Sequence, residues 1–177
     1  PQDRFDAEWF GPADATVQTA RWEHWPLVAM LGARDDGTGL RSAAWGLQDV
    51  GNLEAAYCSF MAQVQNGEAT GTVAVSETGA VVACATSTPF RVGAALLPNV
   101  WLIDAFAHPL HGFKLTPTVA ARPRREGKEI AFVPVSDEAR VAAFADAGFV
   151  REGLLRGLLR TDLLPGDVAV MGRSSDG

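Results

Sequence analysis

The spacing of apolar and polar residues divides the chain into a series of short elements. Leu53, Ala56, Tyr57, Phe60 and Val64 recur at the three- and four-residue steps of one helical face. This predicts a helix over 53–65, stopped by Asn66-Gly67. Two β-rich runs follow, 69–75 and 80–88, joined by Ser76-Glu77-Thr78-Gly79, which is the pattern of a β-hairpin. Residues 100–107 (VWLIDAFA) are apolar at nearly every position. A strand of that kind is covered on both faces, so it is expected at the centre of a sheet. A further strand is expected over 130–135. Its Pro134 predicts a bulge, or a place where the neighbouring strand peels away. Ser136 is expected to cap a helix over 137–147 that ends at Gly148. Closing strands are expected over 149–160 and 167–173, around a Pro165-Gly166 turn.

The pattern is weaker elsewhere. Residues 1–16 read as an irregular arm whose Trp9 and Phe10 dock on the domain. Residues 17–22 are a candidate first strand. Residues 26–34 (PLVAMLGAR) open a helix with Pro26 at its first position. Residues 108–129 carry a short helix at most, with Thr116 as its cap, Pro117 in its first turn and Pro123 as its breaker. The resulting order is strand, helices, hairpin, strand, short helix, strand, helix, two strands. Helices alternating with a hairpin-bearing mixed sheet mean an α/β fold. A length of 177 residues suits one domain spanning 1–177.

Charge and cysteine usage narrow the partners. The net charge of -6 disfavours phosphate backbones, so nucleic acid is not expected. Arg122, Arg124, Arg125 and Lys128 form a local basic run, which reads as a solvated helix end or loop. Cys58 and Cys84 lie on different elements without metal-ligand spacing, as expected of two free thiols in a reduced, cytoplasmic protein. No apolar run approaches the ~18 residues of a membrane span. No signal peptide is visible, and Pro1 in place of Met points to a processed or trimmed start.

The closing third resembles a known family. Ser136, then Gly148-Phe149, Glu152-Gly153, and Met171 with Arg173 are similar to the final helix and two strands of the GNAT (Gcn5-related N-acetyltransferase) superfamily. The AVVACATS and DAFAHP segments resemble its third and fourth strands. The resemblance covers about two thirds of the chain and is weak before residue 69. It implies a mixed, mainly antiparallel sheet flanked by helices. It also implies that the fourth and fifth strands splay apart, with an acyl-CoA thioester in the gap. Two departures stand beside it. The family's glycine-rich diphosphate loop is replaced by His108-Pro109-Leu110-His111-Gly112-Phe113-Lys114-Leu115-Thr116-Pro117, which has one glycine and two prolines. The tyrosine that serves as general acid, four residues before the Gly-Phe glycine, is Phe144, which cannot donate a proton. Acyl-CoA is therefore a doubtful cofactor.

Asp104 and His108 share strand parity, and His111 lies one loop further on. These three are the candidate catalytic residues, expected to converge on the mouth of the gap. Gly112, Lys114 and Ser136 are the candidate cofactor contacts, and no metal site is expected. Cys84 reads as core. Trp22, Trp25, Trp45 and Trp101 are candidates to line an apolar pocket, and His24 reads as structural. The first reading of function is a GNAT-like acyltransferase acting on a small-molecule amine, in specialised biosynthesis. The alternatives are an enzyme of this fold that does not use acetyl-CoA, with hydrolase, lyase or cyclase chemistry, or a non-catalytic binding module. A homodimer is compatible with either.

Overall fold

The computed structural model describes residues 8–11, 14–32, 53–90, 99–160 and 165–174. Seven strands form one sheet: β1 (Ala15–Thr19), β2 (Thr70–Ser76), β3 (Val81–Pro89), β4 (Val100–Ala107), β5 (Lys128–Pro134), β6 (Val150–Arg160) and β7 (Pro165–Ser174). Their order across the sheet is β1-β2-β3-β4-β5-β7-β6. All neighbours are antiparallel except β4 and β5. β4 occupies the middle position, as expected of its mostly apolar run.

Among the described residues, four α-helices cover the two faces: α1 (Trp25–Gly32), α2 (Leu53–Gln65), α3 (Leu115–Ala120) and α4 (Glu138–Asp146). The alternation of β4 sets the two layers. Phe106, with Cys84 of β3 and Val73 of β2, packs against Val28 and Leu31 of α1 and Tyr57, Phe60 and Met61 of α2. Ile103 and Ala105 face the other way, onto Leu115 and Val119 of α3 and Ala143 and Phe144 of α4. Gly71 is what lets α2 approach β2. A Cβ there would lie 2.7 Å from the Phe60 ring.

The element ends show where local chemistry decided the outcome. α2 matches its expected span, and Gly67 takes φ 74 just beyond it. The hairpin turn closes through Gly79 at φ 84. Two expected caps are corrected. Asp137, not Ser136, caps α4, its Oδ1 accepting from the Arg140 amide at 2.9 Å. Ser136 lies one residue outside the helix and is exposed. α3 starts at Leu115, ahead of Thr116, with Lys114 as an N-cap that makes no side-chain cap bond. Before it, residues Pro109–Lys114 form a 3-10 segment kinked at His111. β1 begins at Ala15 and gives way to a 3-10 turn over Trp22–His24, in place of the strand expected over 17–22.

Trp9 and Phe10 dock as expected of the arm. Phe10 is buried against Ala74, Ala80, Val82 and Ala83, with Trp9 packed alongside. Thr78 Oγ1 donates to the Trp9 carbonyl at 2.9 Å, which fastens the arm to the β2–β3 turn. The edge strand β6 is less covered than its leucines suggest. Its register with β7 shifts between Leu155 and Leu159, and Leu155 and Leu158 are exposed.

Candidate active site

The principal opening in the sheet lies between β4 and β5. They pair only through Val100↔Lys128, Trp101↔Glu129 and Leu102↔Ile130. Beyond that point β4 stays on the β3 ladder to Ala107, and β5 stays on the β7 ladder to Pro134. Their facing edges therefore diverge. The split begins well before Pro134, so that proline accompanies the divergence rather than starting it. Backbone groups on such an edge need partners. An extended ligand that carries amides can supply them by adding as a strand would.

The closed end of the gap is pinned. Gly127 takes φ 101, and a Cβ there would collide with the Asn99 carbonyl. That same carbonyl accepts from the Lys128 amide at 2.9 Å. Trp101 Nε1 donates to the Glu126 carbonyl at 2.9 Å. Glu129 lies between two arginines. Arg122 Nη1 donates to its Oε1 at 2.8 Å, and Arg173 Nε to its Oε2 at 2.8 Å, with a second bond from Arg173 Nη2. Arg173 Nη1 also donates to the Ala147 carbonyl at the end of α4. Burial acts to raise the Glu129 carboxyl pKa, but the bonds and charges of Arg122 and Arg173 outweigh it, and the net shift is downward. Burial lowers the pKa of Arg122.

This cluster was missed by sequence reasoning, which took Arg122 for part of a solvated basic run. Arg122 is instead buried, Arg125 sits over the Trp101 ring, and Lys128 pairs with Glu152. The available signal was Arg173 in the Met-x-Arg strand, a cation at a position where the strand is otherwise apolar.

At the open end, His108 and His111 lie together, their ring centroids 6.2 Å apart, and Asp104 is set apart from them. Asp104 is half-buried and pairs in register with Thr86. It alternates with Ile103 and Ala105, so it lies on the α1–α2 face with Phe106. The His108 ring stacks on Phe10 at 4.4 Å between centroids and 6° between planes. Phe10 belongs to the cluster that Ala107 packs against, on the other face. The strand parity that would have united Asp104 with His108 ends at Ala107. There Val82 is an extra residue in a β-bulge of β3, and its carbonyl accepts from the His108 amide at 2.9 Å.

The two histidines hold the loop. His108 Nδ1 accepts from the Leu110 amide at 3.3 Å, so the neutral ring carries its proton on Nε2. His111 is buried, and its Nε2 donates to the Phe10 carbonyl at 2.9 Å.

The remaining candidates fall around this loop. Lys114 Nζ pairs with Asp14 Oδ1 at 3.3 Å and donates to the Ala15 carbonyl at 3.0 Å. Gly112 has an ordinary φ and open space at its Cβ position. Ser136 is exposed at the end of β5. Phe144 is buried edge-on to Phe149 at 5.0 Å. The tryptophans are not gathered. Trp25 packs with α1 and α2, Trp101 packs on the opposite face, Trp22 is exposed, and Trp45 lies outside the described residues. Cys84 is core, and Tyr57 is buried with its hydroxyl donating to the Arg21 carbonyl at 2.8 Å. Among the described residues no three His, Cys, Asp or Glu side chains form a group that could hold a metal ion, and no helix is long and apolar enough to cross a membrane.

No protein-family model and no curated protein sequence matches the chain. Solved structures match throughout. A GNAT superfamily phosphinothricin acetyltransferase from Sinorhizobium meliloti, in complex with acetyl-CoA, superposes with a TM-score of 0.66 at 19% identity, over 92% of this chain and 91% of that one. YncA from Salmonella typhimurium, with its cofactor acetyl-CoA, gives a TM-score of 0.71 at 17% identity, over 93% and 96%. A ribosomal-protein-alanine N-acetyltransferase from Brucella melitensis gives 0.69 at 20% identity, over 90% and 99%. The chain has the GNAT fold.

Proposed function

We propose that the chain is an acyltransferase that moves an acyl group onto a small-molecule amine, with Asp104 as general base. The observation that carries this reading is the divergence of β4 from β5 after Leu102 and Ile130, with a half-buried carboxylate on the diverging part of β4. Two of the structural neighbours hold acetyl-CoA, which makes an acyl thioester the donor of first choice. The gap fits an extended arm with amide groups.

The loop does not fit a diphosphate. Pro109 and Pro117 have no N–H. The amides of Leu110, His111 and Leu115 are engaged by His108 Nδ1, the His108 carbonyl and the Gly112 carbonyl. Lys114 is held by Asp14 and Ala15.

Within this reading Asp104 takes the proton that the amine must lose to become a nucleophile. His108 is poorly suited to that task, because its Nδ1 lone pair is already used. His108 and His111 instead fix the loop against Phe10. The test is thiol release from acyl thioesters with a panel of small amines. Asp104→Asn is expected to lose about 10²- to 10⁴-fold in kcat/KM at unchanged melting temperature. Normal turnover in a folded Asp104→Asn protein removes Asp104 from the chemistry.

One observation favours a second reading. Phe144 stands where the resemblance places a proton donor for the leaving thiolate, which suits a GNAT-fold enzyme that has left acetyl-CoA for hydrolase, lyase or cyclase chemistry. Thiol release in the amine panel separates the two readings.

A further inference from the structure

We infer that this chain recognises its acyl donor by the acyl group and the extended amide arm alone, and that the nucleotide diphosphate of coenzyme A contributes nothing to binding. The inference rests on the acyltransferase reading and sharpens its donor class to thioesters of a pantetheine-type arm.

Two ends of one opening disagree. Along the gap, 103–107 of β4 and 131–134 of β5 face one another without a shared ladder. That edge accepts an amide-bearing chain by main-chain bonds. Beyond the gap's open end, the described loop offers little that would hold a polyanion. Three amides in the loop are bonded within it, and two positions are prolines. Lys114, the cation of this loop, is paired with Asp14. α3 has six residues and begins after a kinked 3-10 segment, which leaves no long helix aligned on the site. The side chains presented to solvent there are apolar, with Leu110 60% and Phe113 67% exposed. A net charge of -6 adds no long-range attraction for a polyanion.

The loop is not held open for a ligand to close. His108 is stacked on Phe10, and His111 is bonded to the Phe10 carbonyl and buried. Binding a diphosphate there would require breaking contacts that anchor the N-terminal arm. In the transfer itself the thioester C–S bond breaks and a C–N bond forms to the acceptor amine. The amine's proton passes to Asp104, and sulfur leaves as thiolate on the arm. None of these events needs the nucleotide.

The experiment is titration calorimetry of the full chain with acetyl-CoA, S-acetyl-pantetheine and adenosine 3′,5′-diphosphate. The two thioesters are expected to bind with dissociation constants within threefold of each other, and the nucleotide to give no heat at millimolar concentration. Gly112→Asp adds a carboxylate to this loop, in space that is open. It is expected to change acetyl-CoA affinity less than threefold. Acetyl-CoA binding thirtyfold more tightly than acetyl-pantetheine, saturable nucleotide binding, or a tenfold loss in Gly112→Asp would each overturn the inference. Failure of both thioesters to bind would overturn the acyltransferase reading beneath it as well.

Discussion

Removing the carboxylate of Glu129 is the sharpest test of how the closed end of the gap is built. Glu129 and Arg122 side chains are 4% and 0% exposed, and Arg173 is 11% exposed. Glu129→Ala would leave two cations facing each other, Arg122 fully buried and Arg173 largely so. Breaking a buried pair by deleting one partner costs about 3–5 kcal/mol, because the surviving charge loses its compensation. Domains of this kind are stable by about 5–15 kcal/mol in total, so the variant would be severely weakened. Urea unfolding followed by tryptophan fluorescence is a suitable assay. With a slope of about 2 kcal/mol/M, the midpoint should fall by about 1.5–2.5 M at unchanged slope.

The reasoning has an asymmetry that guards it against trivial failure. Arg122 Nε and Nη2 are buried with no hydrogen-bond partner among the described residues, so Arg122→Met removes unsatisfied donors together with a charge and leaves Glu129 bonded to Arg173. It should cost about 0–2 kcal/mol, since an apolar replacement of a buried ion is often close to neutral. If Arg122→Met proves more damaging than Glu129→Ala, or if Glu129→Ala costs less than about 1 kcal/mol, the carboxylate is not what holds this end together.

Gly127→Ala is expected to lose about 1–3 kcal/mol, because φ 101 is unfavourable for a side chain and the added Cβ meets the Asn99 carbonyl; a melting temperature unchanged within error would refute this. Phe144→Tyr places a hydroxyl in the cluster around Phe149 and Met171; it should cost about 1–3 kcal/mol for a buried polar group without a partner and restore no turnover, so a rise in thiol release would contradict the geometry. Stability should fall in two acid windows. His24 has a lowered pKa, chiefly through burial, so the fold holds it neutral; this contribution is full above the ordinary value of 6.5 and is lost as pH falls from there toward the folded pKa. For Glu129, whose pKa is held below 4.5 by its arginines against the opposing effect of burial, the contribution is full above 4.5 and is lost as pH falls toward the lower folded value. Denaturant titrations across pH should show the second step vanish in Glu129→Ala and the first in His24→Gln.

What could be read from the sequence followed period and punctuation. The α2 face of Ala56, Tyr57 and Phe60, the Ser76–Gly79 turn and the central β4 are local patterns, and each has a matching buried face. The registers that differ are those where two neighbours compete for one role. Ser136 and Asp137 are both good caps. The winner was decided by where β5 ends, since Val135 still donates to the Asp167 carbonyl and the turn is completed by the Asp137 amide on the Pro134 carbonyl. Thr116 lost its capping role because the 3-10 segment runs directly into α3. Its neighbour Thr118 instead bonds back to the Lys114 carbonyl at 2.6 Å. The roles of Arg122 and Glu129 were illegible for a different reason. Each is charged and lies at an element end, which is where solvated residues also occur. Only the β5–β7 register, with Glu129 opposite Arg173, brings them together.

Asp104, His108 and His111 show how far a periodicity argument reaches. Alternation is reliable while both neighbouring ladders are regular, and it places Asp104 correctly on the face of Phe106. It has no authority across Val82, where β3 carries an unpaired residue, nor beyond Ala107, where the strand ends. Strand parity and residue type together suggested three acid–base groups at one mouth. The two imidazoles each spend a nitrogen, on the Leu110 amide and the Phe10 carbonyl, and Asp104 stands on β4 past the last β4–β5 pair. The same allocation explains the loop. Backbone amides that bond to His108 and close a 3-10 turn are not free to cradle an anion.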